Sequence, residues 1–174
     1  MTRKTDDMPA VNLRAIEPED LELLYRIEND VCLWSIGTTN VPYSRYVLHD
    51  YVANSTGDIY TDRQVRLMIE NGAGEVVGIV DIINFDPQHL RAEIGIVIEN
   101  RYRNQGYGTS ALSHIADYSL NILHLHQLYA WVDMENTASL NLFAKAGYTV
   151  TARVADWLYD GKQFHDAAIM QIIL

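Results

Sequence analysis

A mixed-sheet α/β domain, mostly antiparallel, is the fold this sequence predicts. Two turn signals and one alternation carry the prediction. Asn71-Gly72-Ala73-Gly74 and Asp160-Gly161 each separate two strand-like runs, so each reads as the turn of a hairpin. Between them, residues 91–147 alternate strand, helix, strand, helix, an order that produces crossovers. Hairpins and crossovers in one chain exclude a purely parallel sheet. At 174 residues the chain is one domain by length, large enough to bury a core without disulfide or metal staples.

The elements follow in order. Residues 1–10 are polar and read as a flexible terminus ahead of a domain over 11–174. VNLRAI (11–16) alternates as a short strand. Pro18 with flanking acids then suits the start of a helix over 17–30, with Leu21, Leu24 and Tyr25 on one face. Residues 42–55 give a second helix capped by Ser44. Strands over 64–70 and 75–85 form the first hairpin, and RAEIGIVI (91–98) is the next strand. In the helix 109–123, Leu112, Ile115, Ala116 and Leu123 make one apolar stripe. QLYAWV (127–132) is a buried-type strand. The helix 136–147 is capped by Asn136 and closed by Gly147, and two strands joined at Asp160-Gly161 end the chain.

Composition narrows the function. A formal charge of −10, from 13 basic and 23 acidic residues, argues against nucleic-acid binding and favours cationic ligands. The basic residues of MTRKTDDMPA precede no apolar run, and no stretch approaches the ~20 apolar residues of a membrane helix, so a cytoplasmic protein is expected, with no membrane association. Cys32 is alone and reads as a buried, inert thiol. The six histidines show no ligand spacing, and no metal site is expected.

The stretch NRYRNQGYGTSAL (100–112) stands out, lying between a strand and a helix. Successive N–H groups in such a turn, together with the positive end of the helix, make an anion site, and Gly106 and Gly108 remove side chains from the approach. It is not a P-loop, because no Gly-Lys-Ser/Thr follows, nor a Rossmann turn, because the third glycine is missing. A plain solvated connection is the alternative reading.

RNQGYG (103–108) resembles the Arg/Gln-x-x-Gly-x-Gly/Ala loop of the GCN5-related N-acetyltransferases, in the position where that superfamily has it. ENTASLNLFAKAGY (135–148) looks like a second motif of the superfamily, and RAEIGIVI looks like its fourth strand. The similarity covers residues 11–174 and is greatest to spermidine/diamine N-acetyltransferases, whose closing turn WLYDG (157–161) echoes; ribosomal-protein N-terminal acetyltransferases come next. The resemblance implies helices on both sheet faces, a splayed strand pair and acetyl-CoA as co-substrate. Arg103, Asn104, Gln105, Gly106, Tyr107, Gly108 and Thr109 would hold the pyrophosphate by their amides. The backbone of Ile96, Val97 and Ile98 would pair with the pantetheine arm, and Asn136 would bond it from the other side while also capping its helix. A branched residue at Gly106 is then expected to block the phosphate at little cost to the fold.

Transfer to an amine needs a group that takes its proton. Glu93 is a carboxylate inside an otherwise apolar strand, where an unpaired charge is costly. The resemblance makes it the base or an acceptor-binding carboxylate; a solvated position beside Arg91 is the alternative. Glu28 and Asp81 are further carboxylates that could line an acceptor pocket. The chain departs from the superfamily at Phe143, which stands where a tyrosine acid is usual. Water, Ser139 or Tyr148 would have to replace it. It departs also at SIGTTN (35–40), where polyamine enzymes tend to carry paired acids. The leading expectation is acetyl transfer to a primary amine of a small molecule, a polyamine or diamine included, by a protein free to form a homo-oligomer. A protein α-amine acceptor and a catalytically weak acetyl-CoA-binding module are the alternatives. A closed acidic pocket fits a small-amine acceptor, and an open groove between the first helices and the final hairpin fits a peptide.

Overall fold

The computed structural model describes residues 8–33, 41–55 and 57–174. Within them lie β1 (Val11–Ala15), α1 (Leu21–Glu28), α2 (Arg45–Asn54), α3 (Ile59–Asp62), β2 (Val65–Asn71), β3 (Val76–Asp86) and β4 (Arg91–Ile98). After them come α4 (Tyr107–Asn121), β5 (Gln127–Asp133), α5 (Thr137–Lys145), β6 (Thr149–Tyr159) and β7 (Phe164–Ile173). The strands form one seven-stranded sheet in the order β1-β2-β3-β4-β5-β7-β6, antiparallel at every junction except β4–β5. The mixed sheet follows from the sequence pattern: hairpins build its two halves, and the α4 crossover joins them in parallel.

The chemistry at the helix ends sets their boundaries. Pro18–Asp20 is a 3-10 turn, separate from α1, because Asp20 turns back. Its carboxylate accepts the Glu17 N–H at 2.8 Å and a two-pronged bond from Arg14. The expected helix over 17–30 is therefore broken at its first turn. Ser44 caps α2 by accepting the Val47 N–H, and Asn136 caps α5 by accepting the Ser139 N–H, both as expected. Gly147 closes α5 at φ 96°. The short helix α3 was not foreseen; Asp58 caps it and it buries Ile59. Cys32 corrects an expectation: it is exposed, held in a polar turn where its N–H donates to Asp30.

Helices α4 and α5 pack on one face of the sheet, where Leu112, Ile115 and Phe143 meet Val80, Ile82, Ala92, Ile94 and Leu128. The expected stripe of Leu112, Ile115, Ala116 and Leu123 is buried. Each such leucine or isoleucine contributes about 1.5–3 kcal/mol. Helices α1 and α2 stand over the opposite face, where Glu28 and Tyr51 approach Arg66 of β2. Pro9, from the polar terminus, packs against Gly106, and its carbonyl accepts the Ser110 hydroxyl at 2.8 Å. Residues 1–7 lie outside the described residues.

The feature that makes a site is the β4–β5 junction. Only Arg91, Ala92 and Glu93 pair with Gln127, Leu128 and Tyr129. Beyond Glu93, β4 stays paired with β3 as far as Ile98, and β5 stays with β7 as far as Asp133. Each strand follows its antiparallel neighbour, so the two part and open a wedge in the sheet, the splayed pair that was expected.

Candidate active site

A cavity of about 480 Å³ runs from the α1/α2 face into this wedge, a volume suited to a small ligand. Its walls include Glu28, Arg66, Asp81, Glu93, Asn136 and Phe143. All three proposed acceptor carboxylates are thus brought to one cavity from α1, β3 and β4.

The wedge exposes backbone. Glu99 donates to the Val77 carbonyl, and antiparallel alternation therefore points Val97 toward β3 and turns the N–H and C=O of Ile96 and Ile98 into the gap. Arg103 Nε occupies the Ile98 carbonyl at 3.0 Å. Across the gap, Asn136 uses its side-chain oxygen as a cap, and its NH₂ takes no partner among the described residues. Val97 departs from expectation in this respect, because its backbone groups face β3.

At the mouth of the wedge, Asn104 (φ 60°) and Gly106 (φ 88°) curl the loop ahead of α4. The Arg103 N–H, expected in the cradle, instead donates to the Asn100 carbonyl, whereas none of the amides from Asn104 to Thr109 is taken up by another described residue. The arrangement is an anion cradle: unpaired donors at the positive end of a 15-residue helix. The two glycines have packing reasons as well. A Cβ on Gly106 would lie 2.8 Å from Pro9 Cδ, and one on Gly108 would lie 3.0 Å from Leu142 Cδ1. The expectation that Gly106 is replaceable at little cost to the fold is therefore overturned, because its positive φ and its contact with Pro9 both require glycine. The helix also begins at Tyr107, two residues before the expected Thr109.

At the other end the chemistry is ionic. Arg66 binds Asp81 with two bonds, Nε to Oδ1 at 2.7 Å and Nη2 to Oδ2 at 2.8 Å, and gives Nη1 to Glu28. Burial works against the guanidinium charge, but Asp81 and Glu28 more than offset it, so Arg66 is held above the ordinary arginine value. Glu93 is half-buried and faces the cavity; Arg91 beside it is exposed and turns to Asp86 at 3.3 Å. Asn84 Nδ2 donates to Glu93 Oε2 at 2.8 Å. Tyr129 lies opposite Glu93 on β5, and burial, with that carboxylate, raises the pKa of its phenol.

Residues 10–149 match the model of the acetyltransferase (GNAT) domain. The chain belongs to that family. It is an acyltransferase that uses acetyl-CoA. The acetyltransferase is similar to spermidine N(1)-acetyltransferase of Escherichia coli K12, with 28% identity over 167 residues that cover 94% of this chain and 86% of that one. The Vibrio cholerae spermidine N(1)-acetyltransferase is 24% identical over 163 residues, covering 94% and 92%. Among solved structures, the spermidine N-acetyltransferase of V. cholerae with CoA and spermine superposes at a TM-score of 0.82 with 24% identity, covering 94% and 95%. A dodecameric structure of spermidine N-acetyltransferase from V. cholerae superposes at 0.78 with 25% identity, covering 94% and 93%.

Phe143 is 3% exposed and its ring meets Tyr148 edge-on at 5.0 Å, so it serves the core as well as the cavity wall. Of the two hydroxyls considered as substitutes, Ser139 lines the cavity, while Tyr148 packs against Phe143 in the core. SIGTTN (35–40) lies outside the described residues. No group of histidine, cysteine and acidic residues fit for a metal occurs among the described residues, and none of their helices is long and apolar enough to cross a membrane. Sequence reasoning missed Arg66, Asn84 and Tyr129. Arg66 and Tyr129 are single polar positions in strand-like runs, with no local signal to set them apart. The one available hint for Asn84 is a residue tolerant of left-handed backbone inside a strand.

Proposed function

We propose that this acetyltransferase transfers an acetyl group to a primary amine of a diamine or polyamine. The observation that carries the reading is the gathering of Glu28, Asp81 and Glu93 in one cavity adjoining the wedge. The names of its relatives support the same acceptor class. Acetyl-CoA, when bound, supplies the thioester carbonyl that the amine attacks. For it, the amides of Asn104–Thr109 would hold phosphate, and the backbone of Ile96, the N–H of Ile98 and the Asn136 NH₂ would hold the arm. Glu93 takes the proton of the attacking amine. Asp81 and Glu28, fixed by Arg66, hold a second ammonium group of the acceptor at a distance from the first. Ser139 is the hydroxyl on the cavity wall nearest in sequence to Phe143, which has no proton to give. By extension from the V. cholerae dodecamer, the chain assembles as a homo-oligomer, which sedimentation velocity would reveal.

A thiol-release assay across diamines, spermidine, spermine, amino acids and short peptides tests the acceptor class. Release with diamines and polyamines is expected. Release with peptides alone would replace the reading with a protein acceptor, and release with none of them would leave a binding module. Within that assay Glu93→Gln should lower turnover ~10²-fold or more with acetyl-CoA affinity unchanged.

A further inference from the structure

We infer that Asn84 is a positioning residue for Glu93, and that the irregularity in β3 exists to deliver it; the inference rests on Glu93 acting as the base. Ile82 and Phe85 both lie in the core packed by α4 and α5, three positions apart. Regular strand alternation sends residues two apart to the same face, so one residue between them is extra. The β3–β4 register shifts within this stretch, between Ile83 and Asp86. The residue that absorbs the step is Asn84, at φ 50°.

A left-handed residue in a strand is costly for most side chains, and glycine would adopt it without strain. The chain uses asparagine instead, and its amide is spent on one contact, the 2.8 Å bond from Nδ2 to Glu93 Oε2. Without the extra residue, position 84 would face the core like Ile82, and from β3 the neighbour directly opposite Glu93 would be the apolar Ile83, with no amide from position 84 to bond the carboxylate. The bond fixes one carboxylate oxygen and with it the plane of the group. That plane sets the direction in which the other oxygen meets the amine proton. Tyr129 closes the opposite side of Glu93 from β5, so the carboxylate is flanked from β3 and β5 at the point where β4 and β5 part. Misdirection at such a point reaches the rate through geometry, with binding left alone.

Asn84→Gly separates the two roles of the residue, since it keeps the backbone conformation and removes the amide. The measurements are kcat, KM for the acceptor and acetyl-CoA affinity for Asn84→Gly, Glu93→Gln and the double variant. The expected result is a fall of about 10-fold in kcat for Asn84→Gly, with acetyl-CoA affinity and melting temperature retained, and no further loss when it is added to Glu93→Gln. A purely structural Asn84 predicts the reverse: a glycine variant with wild-type kcat, or a loss of equal size in both backgrounds, and either result overturns the proposal. If Glu93→Gln itself keeps full turnover, the base assignment fails and this inference falls with it. An impaired Glu93→Gln beside an unimpaired Asn84→Gly sinks the Asn84 role alone.

Discussion

The two polar regions of the site, the loop at the mouth of the wedge and the cavity wall under α1 and α2, are built from different parts of the polypeptide. At the α4 end, the polar groups are main-chain amides, aimed by two left-handed residues and the start of a helix. At the β2–β3 end they are side chains, one guanidinium and two carboxylates drawn from α1, β2 and β3. Short of proline, a substitution cannot delete a backbone donor but only misdirect it, so the α4 end should respond to changes of conformation. The ionic end should respond to changes of charge.

The largest effect expected is at the ionic end. Arg66→Gln removes the cation that Asp81 and Glu28 share, and because these side chains keep 18–20% exposure the loss should lie near the low end of the buried-pair range, about 3 kcal/mol. Urea unfolding should report a loss of that size. A variant as stable as the parent would mean that water reaches the acids and that the two ends differ less than proposed. At the α4 end, Gly106→Ala combines a positive φ with a clash at Pro9 and should cost roughly 1–2 kcal/mol while weakening acetyl-CoA binding. Calorimetry on the folded variant checks both. Full stability with weakened binding would assign Gly106 to the ligand alone.

Phe143→Tyr is smaller in free energy. It adds a hydroxyl at the cavity wall, and turnover should rise up to about 10-fold if proton supply to the departing sulfur limits the rate. An unchanged rate would indicate that Ser139 or water already suffices.

The smallest effect expected lies at the tip of the β6–β7 hairpin. There the backbone N–H of Gln163, and then His165, holds Asp160 down at about 2, while Asp160, with Asp133 and Glu135 behind it, raises the His165 imidazole against its burial. The signs are opposite. The histidine contribution is complete below its ordinary value of 6.5 and fades as pH rises through the raised value. The aspartate contribution is complete above 3.8 and fades as pH falls toward about 2. The tip should thus be best ordered in the mildly acidic interval between. The stacked Trp131–Trp157 pair, 4.9 Å apart, offers a near-ultraviolet dichroism signal for following it. Loss of that signal at both ends of the pH range in the parent, and only at the acid end in His165→Gln, is the expected pattern.

The same contrast explains what could be read from the sequence. The α4 end is local: a strand, two glycines and a helix start lie within a dozen residues, and their order is the signal. The two caps, Ser44 and Asn136, are legible for the same reason. The ionic end depends on register. Counting back from the turn at Asn71–Glu75, a regular hairpin would set Arg66 opposite Val80, on the core face. A bulge between Ile69 and Glu70 shifts the pairing by one and sets Arg66 opposite Asp81. No turn signal announces that step. Asn84 was hidden by the second irregularity in the same strand, and Tyr129 by a parallel pairing made across a whole crossover. Glu28 and Asp81 could be suspected as acids, but the cation holding them could not be found without knowing both registers.

The junction of β4 and β5 has a further consequence. Three residue pairs stitch together two half-sheets, β1–β4 and β5–β7, that are otherwise each closed by antiparallel ladders. In hydrogen–deuterium exchange the amides of Ala92, Ile94 and Tyr129, which face across the junction, report on that seam, because the halves can part there without unravelling either ladder. A molecule lying in the wedge, bonded to β4 on one side and to Asn136 on the other, would act as a fourth and fifth stitch. Occupancy would then be written as slowed exchange along the seam, at strands remote from the loop where its phosphates rest.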